Sequence, residues 1–228
     1  MIRSGGVFYH LRALRFKNAL WSGHQSSVAS FLDAWNPKAK DLTLIGPSAG
    51  YSLPTGFLTR FETVYAYEPD PWARMIFERI HGVRPVWKKT GFRFLGADPI
   101  GQLPKDQSAV LFCNVLGQIG IPSTHRLKKS LETHLKDREW ASYHDALSGN
   151  DIDFDLEDAR PEKALLPKLK EWIYVRSPRS GSIEVNAHHA PDLFDGNSGS
   201  YRYWQWRITP RQTHLIEGVF QNHLKKAL

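Results

Sequence analysis

The chain has 228 residues, 41% of them hydrophobic and 23% charged, the balance of a folded globular protein and not of a disordered tail or a low-complexity array. One cysteine, Cys113, excludes an internal disulfide framework, and no run of about 18 apolar residues marks a membrane span. The formal charge is +7, and residues 1–40 hold Arg3, Arg12, Arg15, Lys17, Lys38 and Lys40 against Asp33 alone. A solvated basic helix face is the simplest reading of that excess; attraction to nucleic acid, anionic lipid or an acidic substrate are the alternatives.

The length suits one domain spanning residues 1–228, and the lack of an apolar signal core after Met1 makes the cytoplasm the expected location. Residues 1–40 read as a helical extension. Phe8, Leu11, Leu14 and Arg15 fall near one face, and Val28, Phe31, Leu32 and Trp35 recur at three and four, so both helices are expected to pack beside a sheet. Asn36-Pro37 breaks the pattern, and the apolar run 42–45 ends at Gly46 as a buried parallel strand should.

Residues 63–67 predict a second strand and 71–80 a helix, with Pro71 in its first turn and Gly82 just past its end. A third strand falls at 85–88 or at 91–95, and 108–114 is the fourth. An amphipathic helix at 121–136, a fifth strand at 139–144 and a helix at 161–170 continue the alternation. Residues 172–176 and 201–208 read as an antiparallel pair at a sheet edge, separated by a loop or lid at 177–200. Thr209 to Gln212 resembles a capping box before Leu215, Ile216, Val219, Phe220 and Leu224, so a C-terminal helix is expected. Strands alternating with helices give an α/β, doubly wound, mostly parallel sheet, with ligands at the carboxyl ends of its strands.

The segment from Leu42 to Gly50, LTLIGPSAG, sets a loop of small residues directly after the first strand, where side chains would obstruct backbone contact with a ligand. Gly46, Pro47, Ser48 and Gly50 are the contact candidates. Glu68 follows the second strand, where a carboxylate can accept hydrogen bonds from ribose hydroxyls. Asn114 follows the fourth strand.

A glycine loop after strand one, an acid after strand two and a polar residue after strand four together resemble the Rossmann-like (class I) S-adenosylmethionine-dependent methyltransferases, over roughly residues 40–145. The resemblance implies S-adenosylmethionine as cofactor and methyl transfer to an acceptor that the residues do not name. It implies that the loop from Gly46 to Gly50 wraps the methionine part, that Glu68 holds the ribose and that Asp98 faces the adenine amino group. It also sets Asn114 near the methionine end and the substrate. Two departures stand out: the family commonly has an acid near the end of strand one, where this chain has Leu44 and Ile45, and Ser48 replaces the second loop glycine.

His144 and Asp145, expected at the end of the fifth strand, are the candidates for acceptor binding or proton removal; structural pairing is the equally weighted alternative. A small-molecule acceptor is favoured over nucleic acid, because the signatures of base methylation are missing around strand four. The aromatic run from Tyr201 to Trp206 reads as an edge strand more readily than as a base-stacking surface. No metal is expected, since the adjacent His188 and His189, with Asp192 nearby, point opposite ways on an extended chain.

Two other functions fit parts of this pattern. One is a non-catalytic Rossmann-like binding module. The other is a serine hydrolase, because Gly46 to Gly50 also satisfies G-x-S-x-G and Asp145 and His188, His189 or His214 follow in the required order. Against the hydrolase, Tyr51 to Gly56 makes a poor first helical turn behind the serine.

Overall fold

The computed structural model describes residues 6–88, 108–116, 124–155, 174–176, 185–187 and 200–222. Asp98, His188, His189 and Asp192, the alternative third strand at 91–95 and the helix expected at 161–170 lie outside these residues. Two helices open the chain, α1 (Val7–Leu20) and α2 (Ser22–Trp35). Then come β1 (Asp41–Ile45), the short α3 (Thr55–Leu58), β2 (Thr63–Tyr67), α4 (Pro71–His81), β3 (Val86–Trp87), β4 (Ala109–Cys113), α5 (Thr124–Leu135) and β5 (Trp140–Asn150). The remaining strands are β6 (Asp153–Asp155), β7 (Tyr174–Arg176), β8 (Val185–Ala187), β9 (Ser200–Arg207) and β10 (Gln212–Gln221).

The main sheet runs β3-β2-β1-β4-β5-β10-β9, with β8 against β5. Strands β3, β2, β1, β4 and β5 are parallel, and β10 is antiparallel to both β5 and β9. The order reverses at β1, which is flanked by β2 and β4; a doubly wound sheet opens its ligand crevice at such a point. Register decides what emerges there. Ile45 pairs with both Tyr67 and Phe112, so Gly46, Glu68 and the residues after Phe112 leave the sheet along one edge.

Local chemistry supports each element. β4 is buried along its whole length, as a continuous apolar run should be between two helical layers. Helix α4 is capped by the Asp70 carboxylate, which accepts from the Trp72 amide, starts with Pro71 and stops at Gly82 in the left-handed region. Its boundaries follow the expectation to within one residue. The third strand is β3, and 139–144 proves to be the first half of a longer strand whose far half carries β10 and β8.

Three expectations are corrected here. The C-terminal helix is a strand: Thr213 to Phe220 are all buried in β10, and a register shift between Leu215 and Ile216 groups the apolar residues in pairs that imitate helical spacing. The strand at 201–208 pairs with β10, while β7 pairs with β6 in a separate two-stranded sheet. Finally, the segment expected as a loop or lid at 177–200 contributes β8 to the main sheet.

Helix α2 covers the β9–β10 end. Phe31 packs on Trp204 and Phe220, and the His24 ring stacks on Trp206 with centroids 4.3 Å apart. The aromatic run of β9 therefore faces the protein interior. Helix and sheet approach so closely at Gly218 that a Cβ there would lie 2.7 Å from Trp204 and 2.8 Å from Phe31. Gly218→Ala is expected to lower unfolding free energy by about 1–3 kcal/mol through overpacking, measured by urea denaturation; an unchanged midpoint would refute the contact.

Candidate active site

The loop after β1 bends sharply. Gly46 (φ 63°), Ser48 (φ 49°) and Gly50 (φ 66°) all lie in the left-handed region. Gly46 meets Val115, which a Cβ would touch at 3.0 Å, and its amide donates to the Tyr67 carbonyl across the sheet. At Gly50 a Cβ would collide with His81 and Phe77 of α4, at 2.6 and 2.7 Å. His81 Nε2 contacts the Gly50 carbonyl at 3.1 Å and Nδ1 contacts the Thr55 hydroxyl at 2.8 Å. Burial lowers the His81 pKa, so the neutral ring donates to Gly50 and accepts from Thr55. Gly50 thus seats the loop on α4.

Ser48 is the one residue of that trio with a Cβ, and Glu68 holds it in place. The Glu68 carboxylate is 6% exposed, accepts the Ser48 amide at 2.8 Å through Oε2 and accepts the Asp70 amide at 3.0 Å through Oε1. Burial raises its pKa, while the two amides oppose that shift. Asn114 takes the corresponding position after β4, with φ 51°, a conformation asparagine tolerates. Its amide donates to the Tyr143 carbonyl and its Oδ1 accepts the Asp145 amide at 3.0 Å, which locks the end of β4 to β5.

Gly46, Pro47, Ser48, Glu68 and Asn114 all border one cavity of about 250 Å³. Its other walls include Tyr9, His24, Tyr51, Tyr143 and Trp206, an aromatic side that sequence reasoning did not assign to the site. Tyr9, His24 and Tyr143 carry no motif of their own, and Trp206 was read as part of an edge strand. Gly50 is not among the lining residues.

His144 and Asp145 are not among them either. His144 is fully buried, contacting Ser142 Oγ at 2.9 Å and Glu217 Oε1 at 3.1 Å; Tyr203 donates to the other Glu217 oxygen at 2.5 Å. Asp145 lies 3.0 Å from His214 Nδ1. Both candidates belong to polar pairs between β5 and β10. The hydrolase arrangement fails on backbone geometry, because an elbow serine starts a helix and the first helix after Ser48 begins at Thr55.

His24 has a defined protonation state. The Trp204 indole donates to Nδ1 at 2.9 Å, so the lone pair is on that nitrogen and the ring proton is on Nε2. Nε2 has no hydrogen-bond partner among the described residues. Burial pushes the His24 pKa down to about 3. Burial also raises the Tyr143 phenol and pushes the Cys113 thiol up to about 12, so these three groups are neutral near pH 7.

The folded state therefore binds fewer protons at His24 than the unfolded chain between about pH 6.5 and pH 3, and stability falls as pH drops through that window. His24 is expected to remove a few kcal/mol of stability between about pH 7 and pH 4. Chemical denaturation across that range checks the slope, which His24→Gln is expected to flatten; nitrogen-15 spectra of wild type in that range are expected to show a neutral Nε2–H ring.

No protein-family model matches the chain, and no curated protein matches it. Among solved structures, the chain is similar to the N-methyltransferase NodS from Bradyrhizobium japonicum WM9, at 9% identity over 88% of this chain and 95% of that one, with a TM-score of 0.50. It is also similar to the DhpI–SAM–HEP complex, at 13% identity over 94% of each chain with a TM-score of 0.48. A third likeness is to magnesium protoporphyrin IX methyltransferase from Synechocystis PCC 6803 with bound SAH, at 15% identity over 89% of this chain and 85% of that one, with a TM-score of 0.46. At these identities the likeness is one of fold, and the fold is the Rossmann-like α/β architecture of class I methyltransferases.

Proposed function

We propose that the chain is an S-adenosylmethionine-dependent methyltransferase acting on a small-molecule acceptor. The observation that carries this reading is the convergence of three strand ends on one cavity, with the Glu68 carboxylate buried at its wall and fixed by two backbone amides. A carboxylate held in that way still has lone pairs for a vicinal diol. Gly46, Pro47 and Ser48 give a cradle without long side chains, and Asn114 borders the same cavity. These residues fit the cofactor. Asp98 is assigned to the adenine amino group on the resemblance alone.

S-adenosylmethionine supplies a methyl group already activated on a sulfonium, so the protein's task is to align an acceptor and keep water away. Tyr9, Tyr51, Tyr143 and Trp206 form walls suited to a flat acceptor or to the aliphatic flank of an amine. His24 presents a hydrogen-bond donor and not a base, because its lone pair is committed to Trp204. An acceptor whose nucleophilic atom is already unprotonated, or loses its proton to solvent, suits such a wall. Asp145 and His144 act in this reading from behind it, as positioning groups for β5.

Calorimetric titration with S-adenosylhomocysteine tests the assignment. Saturable binding is expected, weakened about 10- to 100-fold in Glu68→Gln, the loss of charge-assisted hydrogen bonds. The ligand binds the ionised carboxylate, and burial raises the Glu68 pKa; affinity is therefore expected to fall as pH drops through that raised value, and Glu68→Gln is expected to lose this dependence. Binding without methyl transfer to any acceptor in a small-molecule screen would favour a non-catalytic binding module, and absence of binding at millimolar ligand would overturn the cofactor assignment.

A further inference from the structure

Helix α1 is apolar on two faces, and the fold uses one of them. Tyr9, His10 and Ala13 turn inward: Tyr9 borders the cavity, Ala13 is fully buried, and His10 contacts the Tyr51 hydroxyl at 3.0 Å and Asp70 at 3.5 Å. Val7, Phe8, Leu11 and Leu14 turn outward and are 64%, 60%, 54% and 80% exposed. The expectation that Phe8, Leu11 and Leu14 pack beside the sheet is thereby reversed.

Single exposed apolar side chains need no explanation. Positions 7, 11 and 14, with 8 beside them, form instead a continuous stripe along one side of a helix. The charge around it has one sign. Arg12 and Arg15 lie on the same helix, Lys17 reaches over the Tyr51 ring, and no acidic residue precedes Asp33. Among the described residues, Asp70 approaches α1 at the inward His10, away from the stripe.

An aliphatic and aromatic stripe set among arginines matches the boundary between acyl chains and anionic headgroups, where the stripe loses water and the guanidinium groups meet phosphate. A second copy would bring the same positive helix against its own image, and nucleic acid would leave the aliphatic stripe uncovered. We propose that the outer face of α1 docks the protein on an anionic lipid surface. The chain then lies on the bilayer without spanning it, and no described helix is long and apolar enough to cross one. This proposal does not depend on the methyl-transfer reading.

Cosedimentation of the full chain with vesicles of phosphatidylcholine alone, and of phosphatidylcholine with phosphatidylglycerol, tests it. Binding is expected only to the anionic vesicles, weaker in high salt, and reduced about tenfold or more by the double variant Leu11→Gln/Leu14→Gln. Both positions are exposed, and glutamine is a good helix former, so the thermal midpoint of the variant is expected to match wild type. An independent reading comes from Leu14→Cys carrying a nitrobenzoxadiazole fluorophore, with Cys113 protected from labelling by burial; its emission is expected to shift to the blue on anionic vesicles. Absence of binding to anionic vesicles, or binding that the double variant leaves intact with no blue shift, overturns the proposal. Concentration-dependent dimerisation that the double variant abolishes, without vesicle binding, overturns it in favour of a second copy.

Discussion

The structure around the cavity depends on one buried carboxylate. Glu68 emerges at the end of β2 because the parallel register of β1 and β2 ends there, and its two oxygens are divided between the Ser48 amide of the loop after β1 and the Asp70 amide ahead of α4. Burying a carboxylate is costly unless it is hydrogen-bonded. The two amides offset that cost and at the same time fix the loop whose backbone turns into the left-handed region at Ser48. The Arg74 guanidinium donates to the Glu68 carbonyl at 2.6 Å, so the first turn of α4 supports the same residue from behind. Loop, strand end and helix start are held as one unit.

The second half of the cavity has a different origin. Its walls come from α1, α2 and β9, elements far apart in sequence that meet through aromatic packing: Trp21 contacts Tyr9, Tyr51 and Trp206, and its indole donates to the Ile208 carbonyl at 3.1 Å. The ends of β1, β2 and β4 therefore present polar, backbone-rich groups, while the opposite side presents rings from the helices and from β5 and β9. Such a division gives a fixed binding frame on the sheet and lets the cover set selectivity by shape and a few donors, of which His24 is one.

The strand-end half of the cavity was legible in the sequence because its determinants are local. A glycine after an apolar run, an acid at the end of the next run and a proline, cap and glycine around α4 each leave a mark within a few residues. The aromatic half was not legible, since nothing in the spacing of Tyr9, His24 and Trp206 says that they share a wall; the packing of α1 and α2 on β9, itself placed by the β9–β10–β5 pairing, brings them together. The same pairing misled the reading of the C-terminus. Leu215, Ile216, Val219 and Phe220 satisfy helical spacing, and only burial on both faces of the strand, with its register shift, separates the two readings. His144 illustrates the limit from the other side: its position in sequence pointed to the site, but its partner, Glu217, lies on a strand that the sequence presented as a helix.

Helix α1 links the cavity to the outside of the molecule. Its inward residues close the aromatic wall and its outward residues form the exposed stripe, and the two sets alternate along the same first two turns. A rigid helix cannot tilt one face without moving the other, so anything that engages Phe8, Leu11 and Leu14 acts on Tyr9 and on the contacts of His10 with Tyr51 and Asp70. The same helix is held from the inside by Ala13, which is fully buried, and by Phe16 and Leu20, which pack against the core, so its inward face is fixed by apolar packing as well as by the polar contacts of His10.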